Sequence, residues 1–210
     1  MLFTVCFTMM FVGGARIKHL GSIIGAAFLG FAFLILVNMA VPGFLPRVDT
    51  WEKRIMSFGS GEKQENYQAE MAKRAVANGF LFGKGPGKGH VKNDLYSAQS
   101  DFIYASSIEE FGSIIGGIGL VILYMILFFR AIRIMNKVDS KFASLIVFGL
   151  SFMLIFQSFI NMGVGVNLFP VTGQPLPLIS MGGTSILFTC ISLGIILNVS
   201  TTVYKDSENV

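Results

Sequence analysis

Residues 20–41 read LGSIIGAAFLGFAFLILVNMAV, from Leu20 to Val41, without one charged side chain. A helix needs about 20 predominantly apolar residues to cross the hydrocarbon core of a bilayer. This run is long enough. Its backbone groups would have no partners in lipid unless they paired with one another, so a run this long and uniform predicts a membrane helix. Three later segments repeat the pattern, from about Phe111 to Phe129, from about Phe142 to Asn161 and from about Gly182 to Tyr204. The stretch from Leu2 to Val12 is too short to span and reads as the tail of a helix whose beginning is missing. It has neither the basic leader nor the small-residue cleavage site of a signal peptide.

The composition agrees. Of 210 residues, 53% are hydrophobic and 13% charged, where a soluble domain carries about 25% charged residues. Cys6 and Cys190 sit inside apolar runs, where a thiol acts as a small hydrophobe. His19 and His90 are isolated, and no spacing suggests zinc. The expectation is an all-α polytopic membrane protein with about four full transmembrane helices plus a partial N-terminal one. Residues 1–210 would form a single membrane domain, with 43–110 as a large extracytoplasmic loop within it.

Charge placement gives the orientation. Arg16 and Lys18 follow the first apolar stretch, and Arg130, Arg133, Lys137 and Lys141 follow the second full span. Both connections fall on one side if every segment crosses, and the positive-inside rule makes that side cytoplasmic. The connection 163–181 has no charge and suits the opposite face. The C-terminal tail then ends in the cytoplasm. Within the large loop, Glu65–Ala77 is rich in helix formers and predicts an amphipathic helix on or near the outer surface, ended by Asn78-Gly79.

Three stretches carry candidate chemistry. Gly83-Lys84-Gly85-Pro86-Gly87-Lys88-Gly89 fails the Walker A spacing and follows no strand. It reads either as a flexible turn or as a cradle of backbone amides and lysines, with Gly85, Gly87, Lys84 and Lys88, for a pyrophosphate. Asp101 lies near the point where the chain re-enters the membrane. If that segment is helical, Asp101, Ala105, Glu109 and Gly112 share a face, with the two carboxylates about 12 Å apart along the axis. The plain reading is that both acids mark the interface. The functional reading is that a carboxylate against the apolar slab has a raised pKa and serves as a general base. The third stretch, Asn167–Pro177 with three prolines, leads to Ser180-Met181-Gly182-Gly183-Thr184-Ser185. Irregular backbone at membrane depth survives only when buried in protein or lining a cavity. Gln157 and Asn161, one turn apart on the preceding span, read as interhelical hydrogen bonders.

Taken in order, GKGPG at 83–87, SDFIYA at 100–105 with IEEFG at 108–112, and PVTGQPLPLISMGGTS at 170–185 resemble the FtsW/RodA/SpoVE (SEDS) family. The likeness is nearest to the C-terminal half of the Bacteroidetes type of FtsW. Arg47 and Arg54 fit the family's paired arginines at the start of the outer loop, and Tyr67-Gln68 and Ala75–Gly79 fit its next block. Leu95-Tyr96-Ser97 stands where many members have Leu-Pro-Glu, and Thr172 stands where many have lysine.

The resemblance implies a peptidoglycan glycosyltransferase that polymerises lipid II into glycan strands at the division septum and releases undecaprenyl pyrophosphate. It implies Asp101 as the catalytic residue and a class B penicillin-binding transpeptidase, with other divisome proteins, as partner. Arg47, Arg54, Lys84, Lys88 and Lys92 become candidate cations around the leaving pyrophosphate. Gly85, Gly87, Glu109, Thr172, Gln174 and Ser180 become further candidates for the substrate site. A divalent cation (Mg or Mn) could share the charge. Two alternatives stay open: a transporter (flippase) of the lipid-linked precursor, and a non-catalytic divisome scaffold.

Overall fold

The computed structural model describes residues 1–40, 63–89 and 100–208. Those residues are helical, with no strand among them. In chain order they form α1 (Leu2–Val12), α2 (Ile17–Ala40), α3 (Lys63–Gly79), α4 (Ile103–Gly112), a π-helical segment (Ser113–Gly119), α5 (Leu120–Met135), α6 (Lys141–Gly165) and α7 (Gly183–Glu208). Four apolar stretches are long enough to cross a membrane: Ile17–Val37, Ile103–Met135, Lys141–Gly165 and Gly183–Thr202. They overlap the four runs read from the sequence, and α1 is the short apolar helix expected before them.

Helix α6 is the axis of the bundle. Val147, Ala131 and Ile196 bring α5, α6 and α7 together in one buried cluster. Phe148, Phe152 and Phe156 stack along α6 with ring centroids 5.6 Å and 5.8 Å apart, which stiffens the middle of the helix. Helix α1 runs antiparallel to α6. A Cβ added at Gly149 would fall 2.5 Å from Met9 Sδ, and one added at Gly13 lies 3.7 Å from Leu145. The connection holding Arg16 and Lys18 therefore lies at the Lys141 end of α6, beside the Arg130–Lys141 connection. Both basic turns share one end of the bundle, called here the basic end. Helix α2 is largely exposed along its apolar length, the surface of a helix meant for lipid.

The apolar stretch Ile103–Met135 is not one straight span, and the crossing expected from about Phe111 begins at a reversal of the chain. As a single helix it would measure roughly 50 Å, well beyond the hydrocarbon core. Instead the chain turns back at Gly112, which has φ 85° and ψ 167°. Tyr104 donates its hydroxyl to Gly117 O at 3.2 Å, and a Cβ on Gly116 would lie 2.2 Å from Ser107 O. Neither contact is possible in a continuous helix. Ser113–Met135 alone measures roughly 34 Å at α-helical rise, which suits one crossing. Helix α4 runs the other way, parallel to α6: Asp101 lies level with Asn161 and Tyr104 with Gly165.

Helix α3 is the predicted amphipathic helix, ending at Gly79 as Asn78-Gly79 suggests. It does more than lie on a surface. Ala72 and Ala75, both fully buried, form a cluster with Phe102 and Ala105 of the Asp101 segment and with Val164 of α6. Small side chains let helices approach closely, and at Gly79 an added Cβ would collide with Ile108 O at 2.1 Å. The opposite face carries Glu70 and Arg74, an exposed i,i+4 pair at 2.7 Å, of little weight for stability.

The turn at Gly112 depends on close approach as well as on φ. A methyl there would lie 2.3 Å from Leu81 O, whereas Gly14, at φ 82°, has nothing within 4 Å. Gly112→Ala should therefore cost at least about 2 kcal/mol and Gly14→Ala about 1 kcal/mol. Thermal unfolding of both variants in detergent checks this, and equal losses would mean that the fold-back does not rest on the contact.

Candidate active site

Asp101 lies in the turn before α4, not on the helix, so the shared helical face holds for Ala105, Glu109 and Gly112 alone. The turn is held from behind by its backbone. Asn161 Nδ2 donates to Asp101 O at 3.2 Å and to Gln174 O at 2.7 Å, with Ser100 O at 3.5 Å. Ser180 Oγ donates to Ser100 O at 2.7 Å and accepts from Leu176 N at 2.7 Å. Two side chains from separate elements thus grip adjacent carbonyls. The Asp101 carboxyl is half-buried and forms no salt bridge among the described residues. Burial pushes its pKa above the ordinary value, and a hydrogen bond with the Ser100 side chain offsets part of that rise.

The Pro-rich connection 166–182 closes over this end. Gln157 Nε2 donates to Pro175 O at 2.8 Å, and the Tyr124 hydroxyl donates to Pro177 O. Leu176 is fully buried. The irregular backbone is therefore tied to α5 and α6 through side chains, which is what membrane depth demands. Of the candidates here, Ser180 is buried and committed to the turn, Gln174 contributes its carbonyl to Asn161, and Thr172 is exposed.

The Gly-rich run is at the other end of α4, against the turn at Gly112. Lys84 N donates to Glu109 O and Gly85 N to Glu110 O, each at 3.0 Å, and Ser113 N donates to Phe80 O at 2.8 Å. The last carbonyls of α4, orphaned by the chain reversal, are satisfied by this loop. Gly83, at φ 75°, sits so close that an added Cβ would fall 2.4 Å from Glu110 O. Lys84 Nζ reaches the buried Glu109 carboxylate at 3.2 Å. The run is thus a pinned latch, and two of its candidates, Lys84 and Glu109, are paired with each other. Gly85 adopts φ 99° and Gly87 φ 75°, and Lys88 is exposed.

The sequence candidates therefore fall into two groups at opposite ends of α4, a helix roughly 15 Å long. Asp101, Gln174 and Ser180 meet at one end; Lys84, Gly85, Gly87, Lys88 and Glu109 lie at the other. Arg47, Arg54 and Lys92 fall outside the described residues. Sequence reasoning missed Ser100 and Tyr124 as tethers; the signal available was a tyrosine hydroxyl in an otherwise apolar span. Among the described residues no group of three or more His, Cys, Asp or Glu could hold a metal ion.

The family described as cell cycle proteins, FtsW/RodA/SpoVE, matches residues 1–205. The stage V sporulation protein E of Bacillus subtilis (strain 168) is 36% identical over 200 residues, covering 93% of this chain and 51% of that protein. The Francisella salina protein named "Probable peptidoglycan glycosyltransferase FtsW" is 36% identical over 202 residues, covering 91% of this chain and 46% of that protein. A chain from a solved structure described as "Structural coordination of polymerization and crosslinking by a peptidoglycan synthase complex" superposes with a TM-score of 0.66 at 28% identity, covering 95% of this chain and 54% of that one. The chain spans about half the length of the curated relatives it matches.

Two measurements test the site's electrostatics. Lys84→Met strips an ammonium from a buried carboxylate and should cost about 3 kcal/mol, part of which the double substitution Lys84→Met/Glu109→Gln recovers. A double variant no more stable than the single one would remove the latch's ionic component. For Asp101 the folded protein holds its proton more tightly than the unfolded chain does. Stability therefore falls as pH rises from the ordinary carboxylate value through the raised folded value. Asp101→Asn should lack that fall, so its thermal midpoint gains on the unmodified protein with rising pH. Parallel curves would mean that the carboxyl is not buried.

Proposed function

The chain belongs to the FtsW/RodA/SpoVE family of cell cycle proteins, and on that premise we propose that it supplies the catalytic turn of a peptidoglycan glycosyltransferase that polymerises lipid II. The observation that carries this reading is Asp101: a half-buried carboxyl with a raised pKa, outside any salt bridge of the described residues, in a turn whose carbonyls are gripped by Asn161 and Ser180. Such a group suits a general base. A sugar hydroxyl attacks the anomeric carbon of a second lipid-linked sugar. A new C–O bond forms, the bond to the pyrophosphate breaks, and the hydroxyl proton passes to Asp101.

The leaving undecaprenyl pyrophosphate gains charge and needs cations. Arg47, Arg54, Lys88 and Lys92 are the proposed ones. Lys84 is the weaker choice because Glu109 already holds it. Its polyprenyl tail would run along the apolar helices, whose exposed faces suit lipid.

The protein is a multi-pass protein of the bacterial inner membrane. By the positive-inside rule its basic end faces the cytoplasm, which puts Asp101, the Pro-rich connection and the glycine latch at the outer face. The structural relative is described as part of a peptidoglycan synthase complex that coordinates polymerisation and crosslinking. By analogy the partner here is a class B penicillin-binding transpeptidase, and the setting is septal wall synthesis.

Glycan-strand synthesis from purified lipid II, by the native protein with its transpeptidase, tests the reading. Asp101→Asn should lose at least about 100-fold in rate while remaining folded. The unmodified rate should fall as pH drops through the raised Asp101 pKa, since only the deprotonated carboxylate accepts a proton. Equal polymer from both proteins would remove Asp101 as the base, and none from either would leave transport or scaffolding.

A further inference from the structure

We propose that Asn161 is a positioning residue for Asp101: its amide fixes the turn's backbone at a depth where the carboxyl stays half-buried. This rests on the reading of Asp101 as the general base.

The argument begins with an imbalance of hydrogen bonds. Asn161 is 1% exposed, in a span that is otherwise almost wholly apolar. Its Nδ2 faces three carbonyls, those of Ser100, Asp101 and Gln174, while its Oδ1 is buried with no partner among the described residues. The amide cannot be flipped to relieve this, because Oδ1 would then face three acceptors. A buried acceptor without a hydrogen bond costs about 1–3 kcal/mol. A side chain kept at that cost is kept for its two donors, and both are spent on the backbone beside Asp101 and on the connection above it.

The grip has no other means of setting the carboxyl's environment. Helix α6 carries one ionisable side chain apart from its hydroxyls, Lys141 at the basic end. The connection 166–182 carries none. On α3, Glu70, Lys73 and Arg74 lie on the exposed side, and on α4 Glu109 and Glu110 lie at the far end. None of these described charged side chains is paired with Asp101, and burial is the larger influence on its protonation. Burial in turn depends on how tightly the turn is drawn against α6. Ser180 holds Ser100 from the opposite side and shares the task.

Carbodiimide labelling of Asp101, read by mass spectrometry across pH in the detergent-solubilised protein, tests this independently of polymer formation. The reagent takes protonated carboxyls, so the labelling midpoint reports the carboxyl's pKa. Asn161→Ala should lower the midpoint, toward that of a hydrated carboxylate. Asn161→Gln, which keeps the donors, should recover part of the shift. Gln157→Ala, which removes a hydrogen bond to the same connection one turn away, should leave the midpoint in place. A folded Asn161→Ala protein whose midpoint matches the unmodified one would reduce Asn161 to packing. If Asn161→Ala does not fold, Ser180→Ala is judged by the same criterion. In lipid II polymerisation the acid limb of the pH–rate profile should move with the labelling midpoint. A shifted midpoint in a preparation that makes no polymer upholds the grip and sinks the polymerase reading instead.

Discussion

Backbone that is not helical and lies beside lipid must find its hydrogen-bond partners within the protein, and that constraint organises this end of the molecule. Two stretches break the helical pattern there, the reversal at Gly112 and the Pro-rich connection between α6 and α7. Each is satisfied by an element distant in sequence. The Gly-rich loop supplies backbone donors to the orphaned carbonyls of α4. Asn161, Gln157, Tyr124 and Ser180 supply side-chain donors to the turn and the connection. What resembles a set of separate motifs in the sequence is one system of mutual satisfaction, and Asp101 sits inside it without being consumed by it.

This arrangement accounts for the division of labour among the polar residues. Glu109 is buried against Lys84 and belongs to the latch. Gln174 serves through its carbonyl and Ser180 through a hydroxyl already engaged at both its donor and acceptor sides. Asp101 differs because its backbone carbonyl takes the structural load, which leaves its carboxyl out of the tethering. A scaffold that anchors a residue by its main chain can keep the side chain in a half-dry environment without committing it to a salt bridge.

The spans were legible because lipid imposes a long, uniform pattern, and residues 20–41 need no tertiary context to be read as a helix. The reversal at Gly112 was not legible. Ile103–Met135 carries no charge apart from Glu109, Glu110, Arg130 and Arg133, and hydropathy has no term for a change of direction. The φ of one glycine and its contact with Leu81 decide it, and both depend on a loop earlier in the chain. Asp101 stood out as an ionisable residue next to an apolar run, but its place before the helix rather than on it came only with the fold. The glycine run was read as either a turn or a cradle. The structure shows it packed and pinned, a third arrangement that depends on α4 ending where it does.

The contacts that position Asp101 come late. Asn161 follows it by 60 residues, and Ser180 follows Ser100 by 80. During synthesis the Asp101 turn therefore leaves the ribosome well before either of its anchors exists. Ser113–Met135 can settle in the bilayer by its own apolarity, and α4 can meet α3 early, but the Asp101 turn lacks its tethers until α6 has been inserted and the connection beyond it has folded back. Assembly of that turn thus waits on later parts of the chain. A nascent chain cut off before Ser180 would hold its spans in the membrane with the carboxylate still loose and hydrated.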